Sequence, residues 1–405
     1  MLNPDKALQI VLDTTPRLDT EAVGLRDCLG RALAEDARAG EDLPPFDNSA
    51  MDGYAVIASD TAGASIDNPR TLLCVAEEPA GVAVSERVVP GTAIKIMTGA
   101  PIPAGADAVV PVEDTAGGAD GRAQIHCHAS VGAHIRRAGE DVRRGQMMVR
   151  AGVRIGPAEM GALAAVGREP VSVSKRPRVA IITTGTELVG VTESLGPGQI
   201  RDSNSLSLIG QTSRAGAEAA MVERVADERS ELERLLAAAA ESCDAIITSG
   251  GVSVGDYDLV KETLARLGEI LFWKVAIKPG KPLAYGHIGG RPVFGLPGNP
   301  VSSMVAFDLF VRPALLRMQG GTDTDYPMVR AVVAQAIRHK SGRREYVRAR
   351  TIWSDGGFSS ASTGDQGSGR ISSMIGANSY IVIPEDQADL GAGETAQVML
   401  TGWAL

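Results

Sequence analysis

Between residues 177 and 318, short runs of apolar and β-branched residues alternate with longer segments whose apolar residues follow helical spacing. The pattern predicts strands at 179–183, 219–225, 245–248, 270–276, 282–287 and 293–296, and helices at 203–215, 228–241, 258–267 and 300–318. Regular alternation of this kind is typical of a mostly parallel sheet with helices on both faces. Ligands bind such sheets beyond the carboxyl ends of the strands.

Three of the predicted strands are followed by similar, glycine-containing loops. They are TGTEL (184–188), SGG (Ser249, Gly250 and Gly251) and GLPGNP (295–300, with Pro297 and Asn299). Glycine permits positive φ angles and close approach of the backbone to a ligand, so such loops can direct several amides at one anion. A tight turn between a strand and a helix explains any single loop equally well. Three loops at one edge of a sheet favour an anion site.

Two lysines and a helix start point to the same interpretation. Lys278 and Lys281 lie in IKPGKP (277–282), a loop stiffened by prolines, and solvated lysines require no such rigidity. Asn299 and Pro300 are typical N-cap and first helical residues. The positive end of that helix dipole would face the anion site.

Carboxylates accompany these loops at strand ends and helix starts, namely Glu187, Asp202, Asp227, Asp256 and Asp258. Carboxylates beside a phosphate can hold the metal ion that neutralises it. For Asp227, a role as N-cap of the helix predicted from residue 228 is a strong alternative. For Asp256 and Asp258, the alternative is a tight turn with an aspartate N-cap.

Before residue 177 the pattern predicts two N-terminal helices, at 4–11 and 23–34, and a helix at 158–166 that packs against them. Between these segments, residues 46–145 are dominated by short strand candidates at 71–76, 93–97, 108–112 and 124–127. They predict a β-rich domain inserted into a helical one. In this domain FDNSAMDGYAV (46–56) is either a pair of Asx turns or a surface loop whose Asp47 and Asp52 act on a metal or a water. Thr98 follows a strand, in a turn or at a cleft, and His126-Cys127-His128 is interpreted as half-exposed strand.

Past residue 321, strand candidates at 328–336, 346–353 and 380–383 predict a small barrel or sandwich. A basic cluster accompanies it, made of Arg338, Lys340, Arg343, Arg344, Arg348 and Arg350. A solvated strand face explains most of these side chains, although one or two could close over a phosphate. The loop at 364–370, which contains Ser368, is predicted to be flexible and polar.

Composition limits the function classes. The chain of 405 residues has 44% hydrophobic residues and a net charge of −9, which argues against a nucleic-acid binder. No run of 18 apolar residues and no signal-type segment is present, so we expect a cytoplasmic protein without a membrane span. The four cysteines are far apart in sequence, so neither a zinc site nor a disulfide framework is indicated.

Several long stretches together resemble one family, the molybdopterin molybdenumtransferases (MoeA and the E domain of gephyrin). They are PPFDNSAMDGYAV (44–56), IMTGAPIPAGADAVV (96–110), TTGTEL (183–188), GQIRDSN (198–204), TSGGVSVGDYD (248–258), AIKPGKP (276–282) and GLPGNPVSS (295–303). One departure is visible: many members read TGDEL where this chain has Thr186. That difference puts in doubt a role for an acid at position 186 and leaves Glu187 in place.

The resemblance implies a multidomain fold of α/β and β type and a homodimer whose active site is shared between subunits. The implied parts are a discontinuous helical or linker domain (1–45 and 146–176), an inserted β-rich domain (46–145), an α/β molybdopterin-binding domain (177–321) and a C-terminal β-barrel (322–405). The implied reaction inserts molybdenum from molybdate into adenylylated molybdopterin and releases AMP. The implied partners are a molybdopterin adenylyltransferase and other proteins of the cofactor pathway.

Site roles follow from the same resemblance. Asp52 and Thr98 would come from the partner subunit; the catalytic carboxylates would be Glu187, Asp258, Asp52 and Asp227, and Mg²⁺ would be held by Glu187, Asp202 and Asp258. The pterin nucleotide would be surrounded by Thr98, Ser249, Gly250, Gly251, Asp256, Lys278, Lys281, Pro297, Asn299, Ser303, Arg348 and Ser368. We hypothesise that Glu187 or Asp258 orients the attacking oxygen. The alternatives are an ATP-using molybdopterin adenylyltransferase and a non-catalytic scaffold like the gephyrin E domain.

Overall fold

A mixed sheet of six strands forms the centre of the molecule in the computed structural model, which describes residues 1–81, 85–117, 120–251, 259–354 and 356–402. In spatial order the strands are Glu218–Val225, Arg178–Thr184, Ala245–Ser249, Arg291–Leu296, Pro282–Ile288 and Glu269–Lys274. The first four are mutually parallel; Pro282–Ile288 runs antiparallel to them, and Glu269–Lys274 pairs antiparallel with Pro282–Ile288 at the edge. The prediction of a mostly parallel sheet is confirmed, and the carboxyl ends of four strands lie along one edge.

Helices cover both faces of this sheet. They are Asn204–Arg214, Arg229–Ser242, Leu259–Leu267, and a long C-terminal helix made of Pro300–Ala306, a π-helical turn at Phe307–Val311, and Arg312–Met318. Alternate residues of the strand Arg178–Thr184 face opposite cores, because successive strand side chains point to opposite faces. Ile181 packs with the long C-terminal helix, and Ile182 packs with the helix Arg229–Ser242.

The N-terminal segment differs from the prediction. The helix Pro4–Thr14 is present, but Ala7 and Val11 are fully buried in the core of the central sheet. The helix predicted at 23–34 is wrong: Thr20–Val23 is a strand paired antiparallel with Val171–Ser174, and a short 3₁₀ turn, Leu25–Asp27, follows. Glycine at position 30, with φ of +72°, interrupts any helix there. The helix Pro157–Ala165 therefore packs Leu163 against an irregular segment and not against N-terminal helices.

The β-rich region contains a second sheet of six strands. Their spatial order is Ala108–Pro111, Gly53–Val56, Thr92–Ile96, Arg70–Glu78, Arg122–Ile125 and Thr115–Gly117. The four strands predicted here are present. The fourth ends at Ile125, so His126-Cys127-His128 lies in a loop and not on a half-exposed strand. Smaller strand pairs are Ala37–Arg38 with Met147–Val149, Asn48–Ser49 with Ile135–Arg136, and Leu188–Val189 with Ile200–Arg201.

The C-terminal region closes into a barrel, as predicted. Around the barrel the strands are Arg344–Ser354, Gly357–Ser362, Met328–Val333, Thr395–Leu400 and Ser379–Ile383, and the last pairs with the first. The strands Gly357–Ser362 and Thr395–Leu400 are additional to the predicted ones. In the described part of the chain, no helix combines the length and apolar character that a bilayer crossing requires.

A buried carboxylate joins the barrel to the central domain. Asp308, in the π-helical turn, is 8% exposed. Its Oδ2 accepts a hydrogen bond from the Tyr380 hydroxyl at 2.8 Å, and its Oδ1 accepts from Gln211 Nε2 at 2.9 Å and the Tyr326 hydroxyl at 3.2 Å. Burial raises the pKa of Asp308, and the three hydrogen bonds oppose that shift only in part.

We predict that Asp308→Asn gains stability relative to the wild type as pH rises. A carboxyl whose pKa is raised by folding contributes stability below its unfolded pKa, and this contribution is lost as pH rises through the folded pKa. The amide does not titrate and loses nothing. Thermal unfolding midpoints, measured from about pH 4 to 8, check this. The exposed Asp323→Asn is the control, and a difference from wild type that falls or stays constant with pH would contradict the prediction.

Candidate functional site

The carboxyl ends of the parallel strands open into a cavity of about 980 Å³. Two residues of the C-terminal domain, Gly369 and Ile371, complete its wall. The remaining lining residues come from the strand-end loops and helix starts of the central domain: Thr183, Thr184, Gly185, Glu187, Leu188, Ile200, Arg201, Asp202, Ser203, Asn204, Asp227, Ser249, Gly250, Gly251, Leu259, Gly298, Asn299 and Pro300. The three glycine loops singled out in the sequence thus share one cavity.

The loop after strand Ala245–Ser249 requires glycine for two reasons. Gly250 and Gly251 have φ angles of +97° and +63°, which other residues rarely adopt. A Cβ atom at Gly250 would also lie 2.2 Å from the carbonyl oxygen of Thr184. The Gly250 amide is not free for an anion, because it donates to the Leu296 carbonyl at 3.3 Å. This glycine therefore holds three strand ends together.

Asn204 connects the same loops and was assigned no role from the sequence. Its Nδ2 donates to Ser249 Oγ at 2.9 Å and to the Gly298 carbonyl at 2.8 Å. Its place at the first position of a helix, directly after a strand-end segment, is the signal that could have identified it. Ser249 Oγ also donates to the Pro297 carbonyl at 3.2 Å and lies 3.4 Å from Ser303 Oγ. Ser303 therefore supports the loop from the helix Pro300–Ala306.

The predicted carboxylates fall into two kinds. Asp202 is 7% exposed, and it accepts from Thr183 Oγ1 at 2.7 Å and from the Ser205 amide at 3.0 Å, so both oxygens are engaged. Glu187 and Asp227 are exposed to the cavity, and neither carboxylate forms a hydrogen bond or ion pair within the described residues. The N-cap of helix Arg229–Ser242 is Glu228, which does not support the capping alternative for Asp227.

The two free carboxylates, Glu187 and Asp227, have the chemistry to help hold a magnesium ion. Across the described ranges, no three His, Cys, Asp or Glu side chains form a ready metal cage. Magnesium does not need one, because it is commonly held by one or two carboxylates together with substrate phosphates and water. Glu187 and Asp227 supply free oxygens of this kind. Asp256 and Asp258 lie outside the described residues.

The predicted lysines lie beside the cavity and not in its wall. Lys278 Nζ is 2.8 Å from Glu345 Oε1 on the barrel. Lys281 is half-buried on the same loop. A Cβ atom at Gly280, between them, would lie 3.5 Å from the Ser302 carbonyl in the first turn of the helix Pro300–Ala306. The lysine loop therefore adjoins the helix start that lines the cavity.

The barrel contributes a loop that covers this helix start. Asn299 occupies the N-cap position without a capping bond from its side chain, and its Nδ2 donates instead to Ser368 Oγ at 3.1 Å. The Val301 amide donates to the Ser368 carbonyl at 3.2 Å. The helix end is thus partly engaged by the loop at 364–370.

Arg348 holds that loop in place. Arg348 is only 1% exposed. Its guanidinium donates to Ser373 Oγ at 3.1 Å and to the carbonyls of Asp365 and Gly367 at 3.4 and 3.2 Å. Burial lowers the pKa of Arg348. The solvated-face interpretation is therefore wrong for Arg348. It also fails for Arg344, which pairs with Asp5 and Glu385.

Asp52 and Thr98 do not line the cavity of their own chain. Asp52 Oδ1 accepts from both the amide and the hydroxyl of Thr98, each at 2.7 Å. These bonds, the backbone one first, lower the pKa of Asp52. The Asp52 carboxylate is therefore exposed and held in place by Thr98 in the β-rich region.

We predict that Gly250→Ala destabilises the protein by about 2 kcal/mol or more, because it adds a strained φ and a backbone clash. Gly210→Ala is the matched control: its site is exposed, has no atom near an added Cβ, and lies in the helix Asn204–Arg214. Alanine there should be neutral or stabilising by up to about 1 kcal/mol. Thermal unfolding of both variants checks this, and equal unfolding midpoints would contradict it.

Three family models match successive parts of the chain. The MoeA N-terminal region (domain I and II) matches residues 2–167, the model described as "Probable molybdopterin binding domain" matches 180–317, and the MoeA C-terminal region (domain IV) matches 330–401. The cavity described above is built mainly from the second of these segments.

Whole proteins of similar sequence and structure agree. Molybdopterin molybdenumtransferase 2 of Mycobacterium tuberculosis is 42% identical over 93% of this chain and 94% of its own length. Molybdopterin molybdenumtransferase of Haemophilus influenzae is 35% identical over 98% of both chains. The crystal structure of the molybdopterin biosynthesis MoeA protein from Pyrococcus horikoshii superposes with a TM-score of 0.84 and 33% identity, over 99% of this chain and 100% of that one. The chain belongs to the molybdopterin molybdenumtransferase (MoeA) family.

Proposed function

We propose that this protein is a transferase of molybdenum cofactor biosynthesis that inserts molybdenum from molybdate into adenylylated molybdopterin and releases AMP. The observation that carries the proposal is the cavity at the carboxyl edge of the parallel strands. It lies in the segment that matches the molybdopterin-binding family model. At about 980 Å³ it is at the large end of the range for small-molecule sites, as a pterin nucleotide requires.

The chemistry of the proposed reaction suits this cavity. Cleaving a phosphoanhydride beside molybdate concentrates negative charge, which donors fixed in advance can stabilise. In this proposal the loop from Ser249 to Gly251 and the helix start at Asn299 and Pro300 face the nucleotide phosphates. Ser303 supports the loop, and Arg348 places Ser368 over the helix start. Lys278 and Lys281 supply positive charge from the adjoining loop.

The free carboxylates have a separate role in the proposal. Glu187 and Asp227 would hold Mg²⁺, which when bound neutralises charge on the phosphate. Asp258 is assigned to the same group by resemblance alone. We assign to Glu187 or Asp258 the orientation of the attacking oxygen. Asp202, with both oxygens engaged, would serve mainly to fix the strand end at Thr183.

The active protein would be a homodimer. Asp52 and Thr98 form an exposed, prearranged pair that is not part of the cavity of their own chain. A second copy that presents this pair to the cavity would complete the site. The adenylylated substrate would come from a molybdopterin adenylyltransferase.

Glu187→Gln should lower AMP release by about 10² to 10⁴, the usual contribution of a positioned acid or base. Asp227→Asn should lower it less if its role is only to hold the metal. Glu231→Gln, in the helix Arg229–Ser242 with a side chain that is 41% exposed, is the control and should retain full activity. AMP release from adenylylated molybdopterin with molybdate is the measurement. Full activity in both site variants would refute their assigned roles.

Mixing two inactive variants tests the shared site. Asp52→Asn and Glu187→Gln homodimers should each be inactive. A heterodimer of the two has one site with both changes and one intact site. Co-expression in equal amounts should therefore restore about a quarter of wild-type activity per chain. No recovery, although heterodimers are detected by differently sized tags, would show that each site is built from one chain.

A further inference from the structure

A buried carboxylate on the C-terminal barrel lies between Lys278 and a histidine. Glu345 is 4% exposed. Its Oε1 is 2.8 Å from Lys278 Nζ, and its Oε2 is 2.8 Å from His339 Nδ1. The side chains of Glu345 and His339 are 5% and 0% exposed, whereas that of Lys278 is 40% exposed. The chain of contacts therefore starts in the barrel interior and ends at a lysine side chain that is partly exposed.

Backbone pairing fixes the same contact. The short strand Ile277–Lys278 joins the barrel in parallel with Arg344–Ser354, and Lys278 is the register partner of Glu345. The Arg344 amide donates to the Ala276 carbonyl at 2.9 Å. A lysine side chain is normally mobile and loses conformational entropy when it binds an anion. The contact with Glu345 already restricts the Lys278 side chain in the folded protein, so less conformational entropy is left to lose when the lysine binds an anion.

The side chain of the histidine, His339, is 0% exposed. Its Nε2 is buried without a hydrogen-bond partner in the described part of the chain. Unpaired buried polar atoms are unfavourable and rare. Its Nδ1, by contrast, contacts Glu345, and its amide donates to Asp389 Oδ1 at 2.7 Å. The contact with Glu345 is the one polar role of the ring that these residues show, and it orients the carboxylate toward Lys278.

We propose that Glu345 and His339 are positioning residues that hold Lys278 for a tetrahedral oxyanion of the substrates. An ammonium group has three N–H donors, so one bond to Glu345 leaves two for the anion. The lysine loop adjoins the first turn of the helix at Pro300, which lines the cavity. The inference rests on the function proposed above. The oxyanion is either molybdate or a phosphate of the pterin nucleotide.

The test is Glu345→Gln in the full-length protein, with AMP release measured against molybdate and, separately, against adenylylated molybdopterin. The KM for the oxyanion that Lys278 binds should rise about tenfold, which is the lower end of the effect that outer partners of metal ligands have on affinity. The value of kcat should change by less than about twofold, as expected for lost ground-state binding. The substrate whose KM rises identifies the oxyanion. Glu385→Gln, which removes a barrel carboxylate from Arg344 and not from Lys278, should leave both KM values unchanged.

Two further variants distinguish the loss of a positioning contact from misfolding. His339→Gln should raise the same KM by a smaller factor. In a Lys278→Met background, Glu345→Gln should cause no further rise, because the lysine it positions is gone. Unchanged KM values in both Glu345→Gln and His339→Gln, with an active wild type, would overturn the positioning role alone. Calorimetry of molybdate and of nucleotide binding to the same variants gives this comparison without turnover. A wild type that releases no AMP with molybdate would instead refute the proposed function itself.

Discussion

The close approach of Gly250 to the carbonyl of Thr184 is the constraint on which the cavity depends. The two strands that end there are parallel neighbours, with Thr183 opposite Ser249. A side chain at position 250 would overlap the Thr184 carbonyl and separate the strand ends. The Gly250 amide then binds the third strand end at Leu296. Because these ends are held together, the loops that follow them are directed into one space.

The barrel acts as a wall of the same cavity, and its attachment to the central domain is polar. Asp308 accepts hydrogen bonds from two tyrosines and a glutamine at one part of the contact. Glu345 meets Lys278 at another. Arg348, buried and bound to backbone carbonyls, shapes the loop whose Ser368 reaches the helix start. Such directional contacts fix how the barrel sits on the sheet, which apolar packing alone defines less closely.

The central domain could be predicted because its strands and helices differ in hydrophobic period and its loops carry glycines with a geometric purpose. Prediction failed where distant pairing decides local structure. The segment 23–34 has helical spacing, but Gly30 and the pairing of Thr20–Val23 with Val171–Ser174 prevent a helix. The strand Gly357–Ser362 was missed because its serines and glycine carry little strand signal.

The site was predictable in its loops and less so in its contacts. Asn204 connects two loops whose residues are far apart in sequence. Its place at a helix start could mark it as a site residue, but no local pattern shows which loops it joins. The partners of Lys278 and Arg348 lie on other elements for the same reason. The capping alternative for Asp227 was reasonable from sequence, yet Glu228 takes that position and leaves Asp227 at the cavity.

A crystal structure of the protein with adenylylated molybdopterin and molybdate would show whether the strand-end loops bind the nucleotide. We expect the nucleotide phosphates beside Ser249, Gly251 and the helix start at Pro300, with Asp52 of the partner subunit at the same cavity. A nucleotide bound away from these loops, or a cavity that no second copy approaches, would contradict this expectation.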